Sequence, residues 1–492
     1  MKKIITNFRI FLLIGLIPII GLGQTQIGDD IDGYTSNLLS GYSVALSNDG
    51  SVVAISSRGA SNFRGVVQVF QNVDGVRTQM GNNILGEAIG DFSGASVSLS
   101  ADGSVVAIGA TNNSDNGESS GHVRVYKYIS DDWIQVGSDI DGEALHNGSG
   151  NSVALSDDGN TVAIGAYLND GFATNAGHVR VYENISGVWQ QKGIDIDGTG
   201  SGHYSGFKVS ISADGNTVAI GSPYAATNGI YHGYVKIYRY IEGGWEQLGP
   251  NIKGIGDGQC GKNVSLSADG NIVAVSAPAY SGPSHAHVRI FQYNAGTWQQ
   301  IGSSINSGNA NGTGHGLSIS ADGSIVAISS IFGSVNGANS GQVRVYQNVS
   351  NVWTQIGVNI NGEAIYDQSG VGLSLSGDGS TLAIGAQYNS GNGTDAGHVR
   401  IFDLSDVLGM NHFIHKNYEI YPNPATNSLT IKTQLIDNYQ FKIVNQLGQV
   451  VSEKFNNTPL TTLDVSGLIK GLYFLSINSE KGGLQTIKFI KN

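Results

Sequence analysis

The groups in this 492-residue chain able to ligate, attack or move protons are eleven histidines, one cysteine and 38 acidic side chains. His122, His178, His287 and His398 recur at one place in a repeated segment, each two residues before an arginine (Arg124, Arg180, Arg289, Arg400), and Arg344 continues the arginine series. A residue that obeys a repeat is read as packing, because every copy of the unit has the same face to cover. His146, His203, His232, His285 and His315 break the repeat. None of them stands in a HExxH pair, a nucleophile elbow or a phosphate-binding glycine loop. Gly314-His315-Gly316 is expected to face the central channel of the array as solvated lining. Cys260 has no second cysteine to pair with, which excludes an intramolecular disulfide framework and a metal site built on thiolates, and it reads as an inert small residue. No catalytic residue and no cofactor is expected.

Binding chemistry is better represented. Tyr167, Tyr224, Tyr280, Phe332 and Tyr388 fall just past an apolar segment in five repeats. The long polar loops that follow carry Asn169, Asp170, Asn389 and Asp395. Aromatic faces flanked by amides and carboxylates suit sugars or peptide side chains. The five aromatics, with Asp170 and Asp395, are therefore the ligand-binding candidates. A second acidic series (Asp139, Asp141, Glu143, Asp195, Asp197, with Asp29, Asp30 and Asp32 near the N-terminus) reads as a solvated rim.

These residues are positioned by a unit that occurs seven times. Its marker is an Asp-Gly pair, at Asp49, Asp102, Asp158, Asp214, Asp269, Asp322 and Asp378, spaced 53 to 56 residues apart. In the second copy residues 94–99 alternate as strand a, Asp102-Gly103 makes a hairpin turn, and 105–108 form a continuously apolar strand b. After a long loop, 121–126 form strand c and 133–136 strand d; all five tryptophans open a d strand. The seventh copy lacks d, whereas Gln24-Thr-Gln-Ile-Gly28 is an unpaired match to Trp353-Thr-Gln-Ile-Gly357. An open solenoid needs caps, but a ring completed by its own first strand has no edge. The expected fold class is all-β: a seven-bladed β-propeller over 24–402 closed by the N-terminal strand. Gly is abundant (71) and Pro scarce (8), as many short strands and tight turns require.

Residues 1–23 read as a signal peptide, with Lys2, Lys3 and Arg9 ahead of an eleven-residue apolar run too short to span a bilayer. No transmembrane segment is expected in the mature chain. Residues 24–402 carry a net charge of −16, which repels nucleic acid. Residues 403–420 read as a linker, and 421–492 as a small Ig-like β-sandwich with strands near 428–432, 440–445, 449–453, 471–478 and 486–491.

The repeats resemble the FG-GAP repeats of integrin α-chain propellers: Gly-x-x-Val, an Asp-Gly turn, Ala-Ile/Val-Gly/Ser-Ala, then Gly-x-Val-x-Val-Tyr, with Gly221-Ser-Pro223 and Ser276-Ala-Pro278 nearest that family's Gly-Ala-Pro. The calcium loops of that family hold several carboxylates between strands a and b. Here a single Asp stands there, against the six to eight oxygens Ca²⁺ takes, so no metal is expected. The last 72 residues are similar to the type A C-terminal sorting domain of Bacteroidetes type IX secretion cargo. The match rests on Tyr421-Pro422-Asn423-Pro424-Ala425, on Asn445 to Val450 with Gly448, on Leu468 to Phe474 with Gly471 and Tyr473, and on the terminal Lys488-Phe-Ile-Lys491. That resemblance implies type IX machinery as a partner of 421–492. It also implies export, with the domain then removed and the cargo released or attached to the surface. The function expected is non-catalytic binding or adhesion to a glycan or protein. The alternatives are a propeller-based polysaccharide lyase or hydrolase and a structural envelope protein.

Overall fold

Apolar alternation on both sides of an Asp-Gly pair dictates a hairpin, and each repeat extends that hairpin into a sheet. The computed structural model describes residues 23–492 except 74–75, 228–229, 257, 279–285, 307–311, 409–417, 423–424, 434–437, 446–448, 457, 459 and 480–482. The expected signal segment therefore lies outside the described residues but for Gly23, and Tyr280, His285, Asn423, Pro424 and Gly448 also lie outside them. In the second repeat Ser93–Leu99 pairs with Val105–Ala110, which pairs with His122–Ile129, which pairs with Asp132–Gln135, all antiparallel. Strand b is buried along its whole length, as its unbroken apolar run requires. Two-residue strands such as Ile140–Asp141 add to the start of c and were not legible in the sequence, being too short to show a period. Beside the seventh c strand, His398–Asp403, lie Thr25–Gln26 and Ile31–Asp32 from the chain start. The architecture is all-β, built of many small antiparallel sheets, and is consistent with a propeller-like fold.

The Asp-Gly turn is self-contained. The Ser100 hydroxyl donates to Asp102 Oδ1 at 2.6 Å and accepts from the Val105 amide at 2.9 Å, while the Ser104 amide donates to the same Asp102 oxygen. Burial alone would raise the Asp102 pKa, but these hydrogen bonds outweigh it and the pKa is lowered. The Ser-Asp bond recurs in all seven turns. Backbone amides then join the turns in series. Asn48 N donates to Ala101 O, Ala101 N to Asp157 O, Asp157 N to Ala213 O, and Ala213 N to Ala268 O. Ala268 N donates to Ala321 O, Ala321 N to Gly377 O, and Gly377 N to Asn48 O.

Apolar clusters fill the spaces between consecutive sheets. Val52, Ala54 and Val67 meet Leu99, Val106 and Ile108 between the first and second. Val44, Val53 and Ile55 of the first meet Ala383, Val399 and Ile401 of the seventh. The sheets approach so closely that a Cβ on Gly109 would stand 2.0 Å from the Gly150 carbonyl oxygen. The recurring tryptophans seal the outer edge: Trp133, Trp189, Trp245, Trp298 and Trp353 each donate Nε1 to a carbonyl of the preceding repeat at 2.6–2.9 Å. The arginines of strand c do the same further in, Arg124 to Leu85 O at 2.7 Å and Arg400 to Asn361 O at 2.8 Å.

The chain divides into two compact units, Met1–Gly409 and Met410–Asn492. In the second, a three-stranded sheet (Tyr418–Tyr421, Ser428–Thr433, Leu460–Asp464) and a four-stranded one (Val450–Asn456, Tyr439–Val444, Gly471–Ser479, Gly483–Lys491) share a core of Leu429, Ile431, Phe441, Ile443, Leu475 and Phe489. The expected five strands are present. Two more were missed, and Tyr418–Tyr421 shows that the linker expected over 403–420 ends sooner, because Tyr418 to Tyr421 pair with Thr433 to Thr430.

Candidate functional site

Each a strand is entered through a glycine held at φ between 83° and 98°: Gly41, Gly94, Gly150, Gly206, Gly261, Gly314 and Gly370. The residue after it is different in every repeat: Tyr42, Ala95, Asn151, Phe207, Lys262, His315 and Val371. These seven side chains line one cavity of about 480 Å³. Lys208, Asn263, Phe332, Gln368 and Gln387 line it as well. The volume falls in the range of small-molecule sites, roughly 300–1,000 Å³. Among the described residues no carboxylate lines it, although the stretch 24–402 around the cavity carries −16.

The wall has a definite electrostatic order. Lys262 Nζ lies 4.0 Å from the Phe207 ring centroid and donates to Tyr224 Oη at 3.1 Å. Tyr224 joins Tyr204, Phe207 and Tyr231 in edge-on contacts, and Tyr167 packs on Tyr204 and Phe207. Burial pushes the Tyr224 and Tyr167 pKa values up. His315 stands edge-on to Phe332; burial, and then the charge of Lys262, push its pKa down to about 4, so it is neutral at pH 7. Burial also lowers the Lys208 pKa. Asn263 Nδ2 donates to the His315 carbonyl, and Arg58 stacks 3.5 Å over Tyr42. Gln387 Nε2 reaches Gln368 Oε1 at 3.4 Å, while Gln387 Oε1 and His315 Nδ1 are buried without a hydrogen-bond partner. Lysines, amides and aromatic rings make up the polar lining among the described residues.

The expected binding aromatics divide. Phe332 lines the cavity, Tyr224 holds its lysine, and Tyr167 backs the ring cluster. Tyr388 is half-buried and its carbonyl accepts from Ser390 Oγ. Asp170 is exposed, and its Oδ1 accepts from the Asn175 amide at 2.7 Å, closing its own loop. Asp395 sits at φ 51° with its carbonyl accepting from Leu39 N. Neither aspartate is among the cavity-lining residues. His315, expected as solvated lining, does line the cavity, but it is desolvated there, as its lowered pKa records. Lys208, Lys262, Asn151, Asn263 and Phe207 were not singled out. Their signal was available: a position that varies in every repeat immediately after a glycine that never does.

The acidic series on the d–a connections is less solvated than its sequence implies. It meets the recurrent histidines at sheet junctions. His122 Nδ1, buried, lies 3.7 Å from Glu87 and 3.5 Å from Asp139; His178 lies 3.7 Å from Glu143 and 3.6 Å from Asp195; His398 lies 3.1 Å from Asp30 and 3.8 Å from Glu363. Arg124, Arg180 and Arg400 stand beside the same glutamates. Desolvation, with the neighbouring arginine adding to it, lowers the His122 and His398 pKa values against the pull of the carboxylates. These groupings offer cation ligands, but the adjacent guanidinium already balances part of their charge. Cys260 is buried, and burial raises its thiol pKa to about 11.

No curated protein matches the chain. Solved structures similar to it include a putative 6-phosphogluconolactonase from Bacteroides uniformis (13% identity, TM-score 0.46, 65% of this chain and 85% of that one). Another is hydrazine synthase from Kuenenia stuttgartiensis (14% identity, TM-score 0.46, 73% and 94%). Likeness at this level does not bear on activity. Among the described residues no helix is long and apolar enough to cross a membrane. The C-terminal unit does have a family: residues 419–492 are a secretion system C-terminal sorting domain, which hands the chain to the type IX machinery for the cell surface or the exterior.

Proposed function

We propose that this is an exported, non-catalytic binding protein, processed from a precursor with a signal peptide over 1–23. Its repeats form an FG-GAP-like seven-bladed propeller that seats a glycan or protein ligand in the cavity at the head of the a strands. Closure is supported by the turn-to-turn amide series returning to Asn48 and by Thr25–Gln26 pairing with His398–Asp403. The observation that carries the binding role is the cavity itself, placed where seven otherwise similar repeats stop being alike. Loops and strand ends on a rigid scaffold are where binding residues concentrate.

The test is adhesion and glycan-array binding of the exported protein with Phe207→Ala or Asn151→Ala, against Tyr388→Ala on the rim. Cavity variants losing at least tenfold while the rim variant keeps its binding supports the reading; unchanged binding in the cavity variants overturns it.

A lyase is the second reading. It is favoured by Lys208, a lysine of lowered pKa, lining the same cavity as Asn263 and the neutral His315. Release of unsaturated sugar products by the wild-type chain, lost in Lys208→Met, would establish it.

A further inference from the structure

We propose that Glu87, Asp115, His122 and Asp139 form a site for one divalent transition cation of the zinc type, at the junction of the first and second sheets. The site is separate from the cavity, which none of the four lines.

Four segments supply the ligands. Glu87 follows the short strand Ile84–Leu85, and Asp115 stands in the loop between Val105–Ala110 and His122–Ile129. His122 opens the latter strand, and Asp139 precedes Ile140–Asp141. One ligand atom from each lies within 4.8 Å of all the others. His122 Nδ1 is 3.5 Å from Asp139 Oδ2 and 3.7 Å from Glu87 Oε2. Bonds of about 2.0–2.1 Å to a tetrahedral zinc set neighbouring ligand atoms about 3.4 Å apart, so both separations are close to what the ion requires.

The histidine distinguishes this group from an ordinary acidic rim. His122 is 1% exposed, and neither ring nitrogen has a hydrogen-bond partner among the described residues. A protonated ring would donate from Nδ1 to one of the two oxygens, yet it stands beyond normal hydrogen-bond length from both. A neutral ring with its lone pair on Nδ1 would turn that pair on the carboxylates, and a shared cation relieves the repulsion. His398 differs, its Nδ1 reaching Asp30 at 3.1 Å, within hydrogen-bond range.

Neighbouring groups orient the carboxylates, as the outer partners of metal ligands do. Gln135 Nε2 donates to Asp139 Oδ1 at 2.6 Å, which leaves Oδ2 to face His122. Glu87 turns Oε1 to Arg124 at 3.5 Å and Oε2 to His122. Asn113 Nδ2 donates to Asp115 Oδ2 at 3.2 Å. Three carboxylates against the one guanidinium paired with Glu87 leave two negative charges, which one divalent cation balances. Asp115 also breaks the repeat. At its place the third and seventh repeats carry Gly171 and Gly391, and the groupings around His178 and His398 have three members instead of four. An imidazole nitrogen among carboxylate oxygens suits zinc, whereas Ca²⁺ and Mg²⁺ take oxygen. Glu87 and Asp115 are exposed, so an ion can enter from solvent.

Equilibrium dialysis of the full exported chain, stripped with EDTA, against Zn²⁺, Ca²⁺ or Mg²⁺ tests this. The wild type is expected to hold one equivalent of Zn²⁺ in preference to the other two ions, and to melt at a higher temperature with it. Asp115→Asn and His122→Gln are each expected to weaken that equivalent at least tenfold. Co²⁺ in place of Zn²⁺ should give the visible bands of a four-coordinate site in the wild type and lose them in both variants. Glu118→Gln, an exposed carboxylate of the same loop outside the group, is expected to change nothing. Melts in EDTA check that each variant is folded, and the exposure of Asp115 makes its variant the safer of the two. No retained Zn²⁺, a preference for Ca²⁺ or Mg²⁺, or Zn²⁺ held as tightly by a folded Asp115→Asn chain as by the wild type overturns the assignment.

Discussion

The ammonium of Lys262 lies 4.0 Å from the ring centroid of Phe207, one residue at the head of the fifth a strand and the other at the head of the fourth. The contact crosses from one repeat to the next and exists only because both strands reach the same cavity wall. Replacing Phe207 by Leu keeps apolar volume and removes the ring quadrupole. A double-mutant cycle of Phe207→Leu with Lys262→Met is expected to give a coupling of about 0.5–2 kcal/mol in unfolding free energy. A coupling near zero would show that the pair is merely adjacent.

His315 sets an acid limit on the fold. Its pKa is about 4 in the folded chain, against an ordinary histidine value of 6.5. The unfolded state therefore binds the proton first as pH falls. The stability this neutral histidine contributes is fully present above pH 6.5 and is lost progressively between 6.5 and 4. His122 and His398 add to it in the same direction. The sum for His315 alone is at most on the order of 3 kcal/mol. Chemical denaturation at stepped pH should show this slope, reduced in His315→Gln.

Gly109 is fixed by the neighbouring sheet. Its Cβ would fall 2.0 Å from the Gly150 oxygen, a backbone atom that cannot rotate away. Gly109→Ala is expected to cost more than about 3 kcal/mol or to prevent folding. A melting temperature within a few degrees of wild type would contradict the close approach.

Trp189→Phe removes the hydrogen bond to Val136 O, made at 2.7 Å, while keeping most of the ring. The expected loss is about 1–2 kcal/mol, because a partly buried carbonyl loses its donor. The equivalent change at Trp298, which donates to Leu248 O at 2.7 Å, should cost about the same. A large difference between the two would mean that the junctions are not equivalent.

Deleting 419–492 is expected to stop delivery to the surface and leave the chain inside the outer membrane. Fractionation of cells is the measurement. Surface display that continues without the tail would contradict its role.

Much of the fold was legible because strands and turns are local. An Asp-Gly pair between apolar runs makes its hairpin from its own hydrogen bonds, as Ser100, Asp102 and Val105 do. Repeating that unit announces an array whatever surrounds it. Two-residue strands such as Ile140–Asp141 escaped notice because nothing that short has a period. The candidate site was less legible. Aromatics such as Tyr388 and carboxylates such as Asp170 were chosen by type and loop position, but Asp170 is occupied with the Asn175 amide. Meanwhile Lys208 and Lys262, 54 residues apart in sequence, carried no motif.

Sequence alone determined the all-β class, the seven-fold repetition and the sorting tail, since each is written in short-range pattern. The tertiary structure alone decided which residues share a space. A side chain at the head of an a strand has six counterparts scattered over more than 300 residues of chain. The mixed lining they form together with Lys208, Asn263, Gln368 and Gln387 arises only when packing between sheets brings those strand ends to one cavity.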